Sequence, residues 1–99
     1  MPVADTPSAD SWGKDDNARR YDAFARRFPM YARSSQELIA LARPPRDSTV
    51  LDLACGTGIT TEAILAVLGS AGRVIGVDKS AAMLVVAAEA IADPPALLT

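Results

Sequence analysis

The sequence predicts an α/β chain: the opening portion of a parallel, doubly wound sheet of about two strands, preceded by two helices. Three observations predict it. Two short apolar runs, STVLDLA at 48–54 and RVIGVD at 73–78, flank a stretch with helical periodicity. The first run passes into that helix through a turn of small residues, CGTG at 55–58. All five aromatics, Trp12, Tyr21, Phe24, Phe28 and Tyr31, fall in the first 31 residues. An aliphatic α/β part and an aromatic helical part are therefore separate layers.

Taken in order, residues 1–14 are polar, carry Pro2, Pro7 and Gly13, and read as a mobile tail. Residues 15–46 read as a helical entry or lid segment. From about 16 to 28, Tyr21, Phe24, Ala25 and Phe28 share one helical face. Their rings read as core, with one or two of them lining a cavity as the other possibility. Pro29 is expected to stop this helix. Ser34 and Glu37 have capping-box spacing for a second helix carrying Leu38, Ile39 and Leu41. Pro44-Pro45 ends it.

Residues 47–99 read as the first βαβα portion of a sheet domain, incomplete in itself. The strand at 48–54 leads into a helix from about 59 to 68, with Ile59, Ala63, Ile64, Val67 and Leu68 as its packing stripe. Glycines 69 and 72 end that helix, and 73–78 is the second strand. Ser80 caps a helix from about 81 to 92, closed by Pro94-Pro95. A strand–helix–strand unit crosses over right-handed and makes its strands parallel, which is a Rossmann-like arrangement.

Composition narrows the partners. At 49% hydrophobic, 22% charged and net charge −2, the chain has no basic excess to attract nucleic acid or an anionic membrane. The first residues lack a signal-peptide pattern, and no apolar run approaches the roughly 20 residues of a membrane span. A single cysteine, Cys55, fits a reducing cytosol, so a cytoplasmic location is expected. There is no histidine, which removes the commonest general base and the commonest metal ligand. No metal site is expected.

The glycine turn carries the chemistry. Gly56 and Gly58 allow positive φ and close ligand approach, and a helix N-terminus follows. Asp52 and Asp78 end the two strands, and parallel strands open their carboxyl ends on one crevice. A phosphate-binding P-loop needs GxxxxGK[ST], and no lysine follows these glycines. A dinucleotide site needs a third glycine where Thr61 stands, and Asp52 would repel a pyrophosphate. A ligand with a cationic end and a ribose diol suits two acids better. S-adenosylmethionine has that form.

At these residues the chain resembles a known family. VLDLACGTGITTEAI, 50–64, is similar to motif I of the class I S-adenosylmethionine-dependent methyltransferases, and VIGVDKSAAML, 74–84, to motif II. YDAFARRFPMYARSSQELIALA, 21–42, resembles the leading helices of the ubiquinone- and menaquinone-biosynthesis-like branch, which acts on small molecules. The resemblance covers about residues 15–92. It implies that Ala54, Cys55 and Gly56 contact the methionine part through their backbone and that Asp52 holds its ammonium, directly or through water. Thr57 and Gly58 would close the turn over the nucleoside, and Asp78 would take the ribose hydroxyls. Lys79 and Ser80 would border the adenine, Met83 could pack on its face, and Tyr21 would stand at the carboxylate end. Ser80 also reads as a helix cap and Met83 as core. Cys55 reads as a small residue that fits the turn rather than as a nucleophile.

The same resemblance defines what is missing. The family's sheet has more strands than the two seen here, and the segment facing the methyl acceptor lies beyond them. The expectation is a cofactor-binding N-terminal portion acting on a small-molecule acceptor, with no catalytic residue assigned and the C-terminal half needed for activity. A non-catalytic structural or docking module is the alternative, and a nucleotide-binding oxidoreductase fragment a lesser one. The strand at 48–54 would have a neighbour on one side alone, so self-association or a chain supplying further strands is expected.

Overall fold

The structure is a computed structural model that describes residues 15–91 and 96–99 of the chain. The tail expected at 1–14, Trp12 and Pro94-Pro95 lie outside the described residues. The element order is α1 Asp15–Arg27, α2 Pro29–Ala42, β1 Thr49–Leu53, α3 Ile59–Leu65, β2 Arg73–Val77, α4 Ala81–Ala90 and β3 Ala96–Leu98.

Helix α1 buries alanines, not rings. Ala18 and Ala25, seven residues apart, are 0% and 1% exposed, whereas Phe24 is 53% exposed. Tyr21, Phe28 and Tyr31 are also solvent-exposed, so the expectation that the rings form core is overturned. The reason is steric. Ala18 sits among Ala82, Met83 and Val86, and a small side chain lets α1 approach α4 closely. The rings instead pack on one another, with Phe24 5.0 Å from Phe28 and 6.0 Å from Tyr31 between centroids.

Pro29 opens α2 rather than merely ending α1. Phe28 is extended (φ −107°, ψ 110°), as a residue before proline prefers, and Pro29 takes the first helical turn, where its missing N–H costs nothing. Ser34 and Glu37 consequently lie inside α2, and the capping box expected there does not form. Arg43, left-handed at φ 50°, closes α2 by donating its N–H to the Ile39 carbonyl at 2.9 Å.

The sheet is parallel in the order β1-β2-β3. Thr49 faces Arg73 and Leu53 faces Val77, so Asp52, opposite Gly76 near the end of the ladder, and Asp78, just past it, lie at the same end. Two strands were expected; β3 is a third. Three residues are too few to show alternation, but Val74, Ile75 and Gly76 pair with Ala96, Leu97 and Leu98. The ladder continues past it, with Thr99 N–H donating to Gly76 at 2.9 Å and Asp78 N–H to Thr99 at 3.1 Å. Helix α3 is shorter than expected, and Val67 and Leu68 fall in the turn after it.

One sheet face is covered. Val74 packs with Ile39, Ala63 and Ile64, and Val50, Leu65 and Leu68 border that cluster. Both crossovers run the same way across the sheet, so the right-handed rule places α3 and α4 on one side. The alternate residues point away from that cluster. Leu51, Leu53 and Leu97 are 56%, 69% and 60% exposed. Among the described residues, β1 is an edge strand and no helix is long and apolar enough to cross a membrane.

Candidate functional site

At the end of β1 the backbone turns left-handed three times in five residues: Ala54 (φ 57°), Gly56 (φ 57°) and Gly58 (φ 91°). For Ala54 that conformation costs about 1–2 kcal/mol. Strain of this kind concentrates at binding turns. The turn is tied by Cys55 N–H to the Val77 carbonyl at 2.9 Å and by Gly58 N–H to the Cys55 carbonyl at 3.0 Å. Glu62 N–H then bonds the Gly58 carbonyl at 2.8 Å and starts α3.

Asp78 is the clasp between the strands. Its Oδ2 accepts from Gly56 N–H at 2.9 Å and its Oδ1 from Ser80 N–H at 2.8 Å. Each carboxylate oxygen keeps acceptor capacity beyond the one protein donor it has here. Ser80 in turn caps α4, its Oγ accepting from Met83 N–H at 3.2 Å. Asp52 is held differently: Thr61, wholly buried, donates its hydroxyl to Asp52 Oδ2 at 2.6 Å. Sequence reasoning registered Thr61 as a missing third glycine. Its distance of nine residues from Asp52, on the inner turn of the next helix, was the signal for this bond.

A cavity of about 360 Å³ opens over the turn, lined by Tyr21, Ala54, Gly56, Asp78, Lys79, Ser80 and Met83. All seven were sequence candidates. Asp52, Cys55, Thr57 and Gly58 lie outside this lining. A Cβ built on Gly56 meets nothing within 4 Å, so the glycine faces open space. Met83 does two things: it packs with Ala18 in the α1–α4 core and lines the cavity. A larger cavity, about 530 Å³, includes Thr49, Gly72 and Arg73 at the other end of the strands. It has no carboxylate and no left-handed turn, and ligands of such sheets bind at the carboxyl ends. The smaller cavity is the one with the chemistry.

Cys55 is buried at 7% exposure. Burial, then the charges of Asp52 and Asp78, push its thiol from 9.0 up to about 11. It is a neutral thiol at physiological pH and no nucleophile. In the folded state Cys55 should therefore react slowly with a disulfide reagent at pH 8 and become fully reactive in denaturant. The linkage sign follows: the unfolded chain loses this proton first, so stability is full below about pH 9 and is lost as pH rises through about 11. Cys55→Ala should flatten that alkaline limb in thermal melts; an unchanged limb would show another group responsible. Among the described residues no three Cys, Asp or Glu side chains group as a metal site would need.

A family profile described as "Methyltransferase domain" matches residues 50–98, the stretch from β1 to β3 with both acids. Among solved structures, the chain is similar to a TehB-like SAM-dependent methyltransferase from Corynebacterium glutamicum, with a TM-score of 0.57 and 20% identity. The match covers 84% of this chain and 45% of that one, so the chain spans less than half the length of its structural relative. At that identity the likeness is one of fold. No curated protein matched the chain.

Proposed function

We propose that the chain, whose residues 50–98 match a methyltransferase domain, is a class I S-adenosylmethionine-dependent methyltransferase in family and binds S-adenosylmethionine in the cavity between Tyr21 and Asp78. In this reading it is the cofactor-binding portion of an enzyme that methylates a small molecule, and the strands and acceptor-facing segment it lacks complete the activity.

One observation carries the reading. Asp78 holds the glycine turn by one oxygen and the start of α4 by the other, and it lines an open cavity beside a glycine with empty space above it. The remaining acceptor capacity of that carboxylate suits a ribose diol. Met83 and Ala54 give the cavity apolar walls for a flat base, bordered by Lys79 and Ser80. Asp52 has one oxygen on Thr61 and the other left to meet an ammonium, directly or through water. When bound, the cofactor supplies a methyl group on a sulfonium, already a good leaving group. The chain's residues have then to bind, orient and exclude water. No group lining the cavity is assigned as a general base.

The two turn glycines separate binding from folding. Gly56→Ala should cost about 1–2 kcal/mol of stability for its left-handed backbone, yet fill the space over the turn and abolish measurable S-adenosylhomocysteine binding. Gly58→Ala puts a Cβ 2.7 Å from Ile91 Cδ1 and 3.3 Å from Ala87 Cβ, and should cost about 2–4 kcal/mol of stability. Calorimetry and thermal melts on both variants test this. Binding unchanged in Gly56→Ala would remove the turn from the site. NAD bound more tightly than S-adenosylhomocysteine would favour an oxidoreductase.

The bare face with Leu51, Leu53 and Leu97 favours a second reading, a methyltransferase-like docking module without catalysis. Cofactor binding decides between them. With either reading go a cytoplasmic location, no nucleic-acid or membrane partner, and pairing of the β1 edge with a second copy or a chain that supplies strands.

A further inference from the structure

We infer that Arg26 is a positioning residue that pins the Thr57–Gly58 peptide of the turn beside the cavity. Only the cofactor-binding part of the test below rests on the methyltransferase reading.

Arg26 makes contacts in three directions. Its Nε donates to Asp22 Oδ1 at 2.8 Å, one helical turn back and next to Tyr21. Its two terminal nitrogens hold Glu62 in a fork, Nη2 to Oε1 at 2.7 Å and Nη1 to Oε2 at 3.3 Å. Nη2 also points at the Thr57 carbonyl, 3.5 Å away. A single guanidinium thus joins the stretch of α1 that carries Tyr21, the first turn of α3 and the middle of Gly56-Thr57-Gly58. Lysine has no fork that can reach all of these.

The pinned peptide is one that needs pinning. It lies in a turn with a left-handed glycine on either side of Thr57, where the lack of a Cβ leaves the backbone free to move. Its N–H, from Gly58, is held by the Cys55 carbonyl on one side, and its carbonyl, from Thr57, meets Arg26 on the other. Thr57 Oγ1 is buried without a hydrogen-bond partner, so that side chain adds no polar anchor of its own. Glu62 is coupled too, because its N–H bonds the Gly58 carbonyl. The hydrogen bonds to Glu62, ahead of those to Asp22, hold the Arg26 charge more firmly than in a free side chain.

The molecule contains its own control. Arg19 and Glu89 form a fork of comparable length, 2.8 Å at each contact, and tie α1 to α4. That pair is half-exposed, and its contacts with each other reach no residue of the turn. A merely structural role for ion pairs on α1 predicts the same consequences for both arginines. A positioning role predicts different ones.

The test compares Arg26→Met with Arg19→Met in the full chain. In ligand-free protein, amide hydrogen exchange at Gly58 and Glu62 should speed up about tenfold in Arg26→Met, the loss of roughly one charge-assisted hydrogen bond, and stay at the wild-type rate in Arg19→Met. S-adenosylhomocysteine affinity should fall by a similar factor in Arg26→Met alone. The charge-swapped pair R26E/E62R should recover little of either loss, because a carboxylate at 26 restores the ion pair but cannot donate to the Thr57 carbonyl, and Arg26→Lys little of either as well. If Arg26→Met does not fold, Arg26→Lys, which keeps the charge and loses the fork, carries the exchange measurement. Wild-type exchange at Gly58 and Glu62 in the Arg26 variant, or equal acceleration in both variants, overturns the inference whether or not any cofactor binds. Wild-type protein that binds no S-adenosylhomocysteine overturns the methyltransferase reading, and the exchange comparison still decides the role of Arg26.

Discussion

Asp78→Ala is expected to weaken S-adenosylhomocysteine binding by about 1.5–3 kcal/mol, roughly ten- to 150-fold, the range for losing hydrogen bonds to a charged group. The same substitution should lower the melting temperature of the ligand-free chain. Asp78 accepts from Gly56 N–H and from Ser80 N–H, and alanine leaves both donors to find water or go unmet. Two effects therefore share one residue, and Asp78→Asn tells them apart. Its amide oxygen can keep one of the two N–H bonds, but its NH₂ would face the other donor and would have no acceptor left for a diol. A fall in affinity beyond what the loss of folding stability accounts for, in both variants, puts the carboxylate on the ligand. Calorimetry paired with thermal melts gives both quantities. Affinity equal to wild type in Asp78→Ala would remove Asp78 from the site, whatever happens to the melt.

The same residue shows why part of the site was legible in the sequence. An acid at the end of each of two parallel strands, with a glycine turn between, has one geometry, so Gly56 and Asp78 follow from strand order, while Ser80 as a lining residue came through resemblance. Tyr21 was legible only through resemblance, because nothing in helical periodicity says which exposed ring faces a cavity. The two leading helices were read least well, and for a definable reason. Hydrophobic periodicity counts rings as core, but α1 lies so close to α4 that only Ala18 fits between them. The Ser34–Glu37 pair had the spacing of a cap and lost to Pro29, whose ring already fits the first turn of α2. β3 was missed because three residues after a proline pair carry too little pattern; the pairing along β2 defines it. Arg26 was invisible as a partner of Glu62, since the two meet only once α1 packs on α3, and Thr61 had only its spacing from Asp52 to mark it.

The largest effect outside the site is expected at the open side of the sheet, where the 99-residue chain should self-associate. Among the described residues β1 has a neighbour on one edge alone, so its other edge presents unpaired N–H and C=O groups. The face beside that edge carries Leu51, Leu53 and Leu97, each more than half exposed. Burying what remains of three leucines is worth about 1–2 kcal/mol apiece, roughly 3–6 kcal/mol together, before any strand pairing and before the cost of association. Strand pairing adds to this and the cost of association subtracts from it, so the contact is weak, with a dissociation constant on the order of 1 mM that concentration should reveal. Sedimentation velocity across about 0.01–1 mM should show a rising weight-average mass. Leu51→Lys with Leu53→Lys should abolish the rise, because it removes two of the three apolar contacts and sets like charges against each other. Amide exchange along 49–53 should slow with concentration in the wild type and not in the double variant. A wild-type chain that stays monomeric at 1 mM with already protected β1 amides would mean that the edge is satisfied without a second strand, and the docking reading of this face would fall with the prediction.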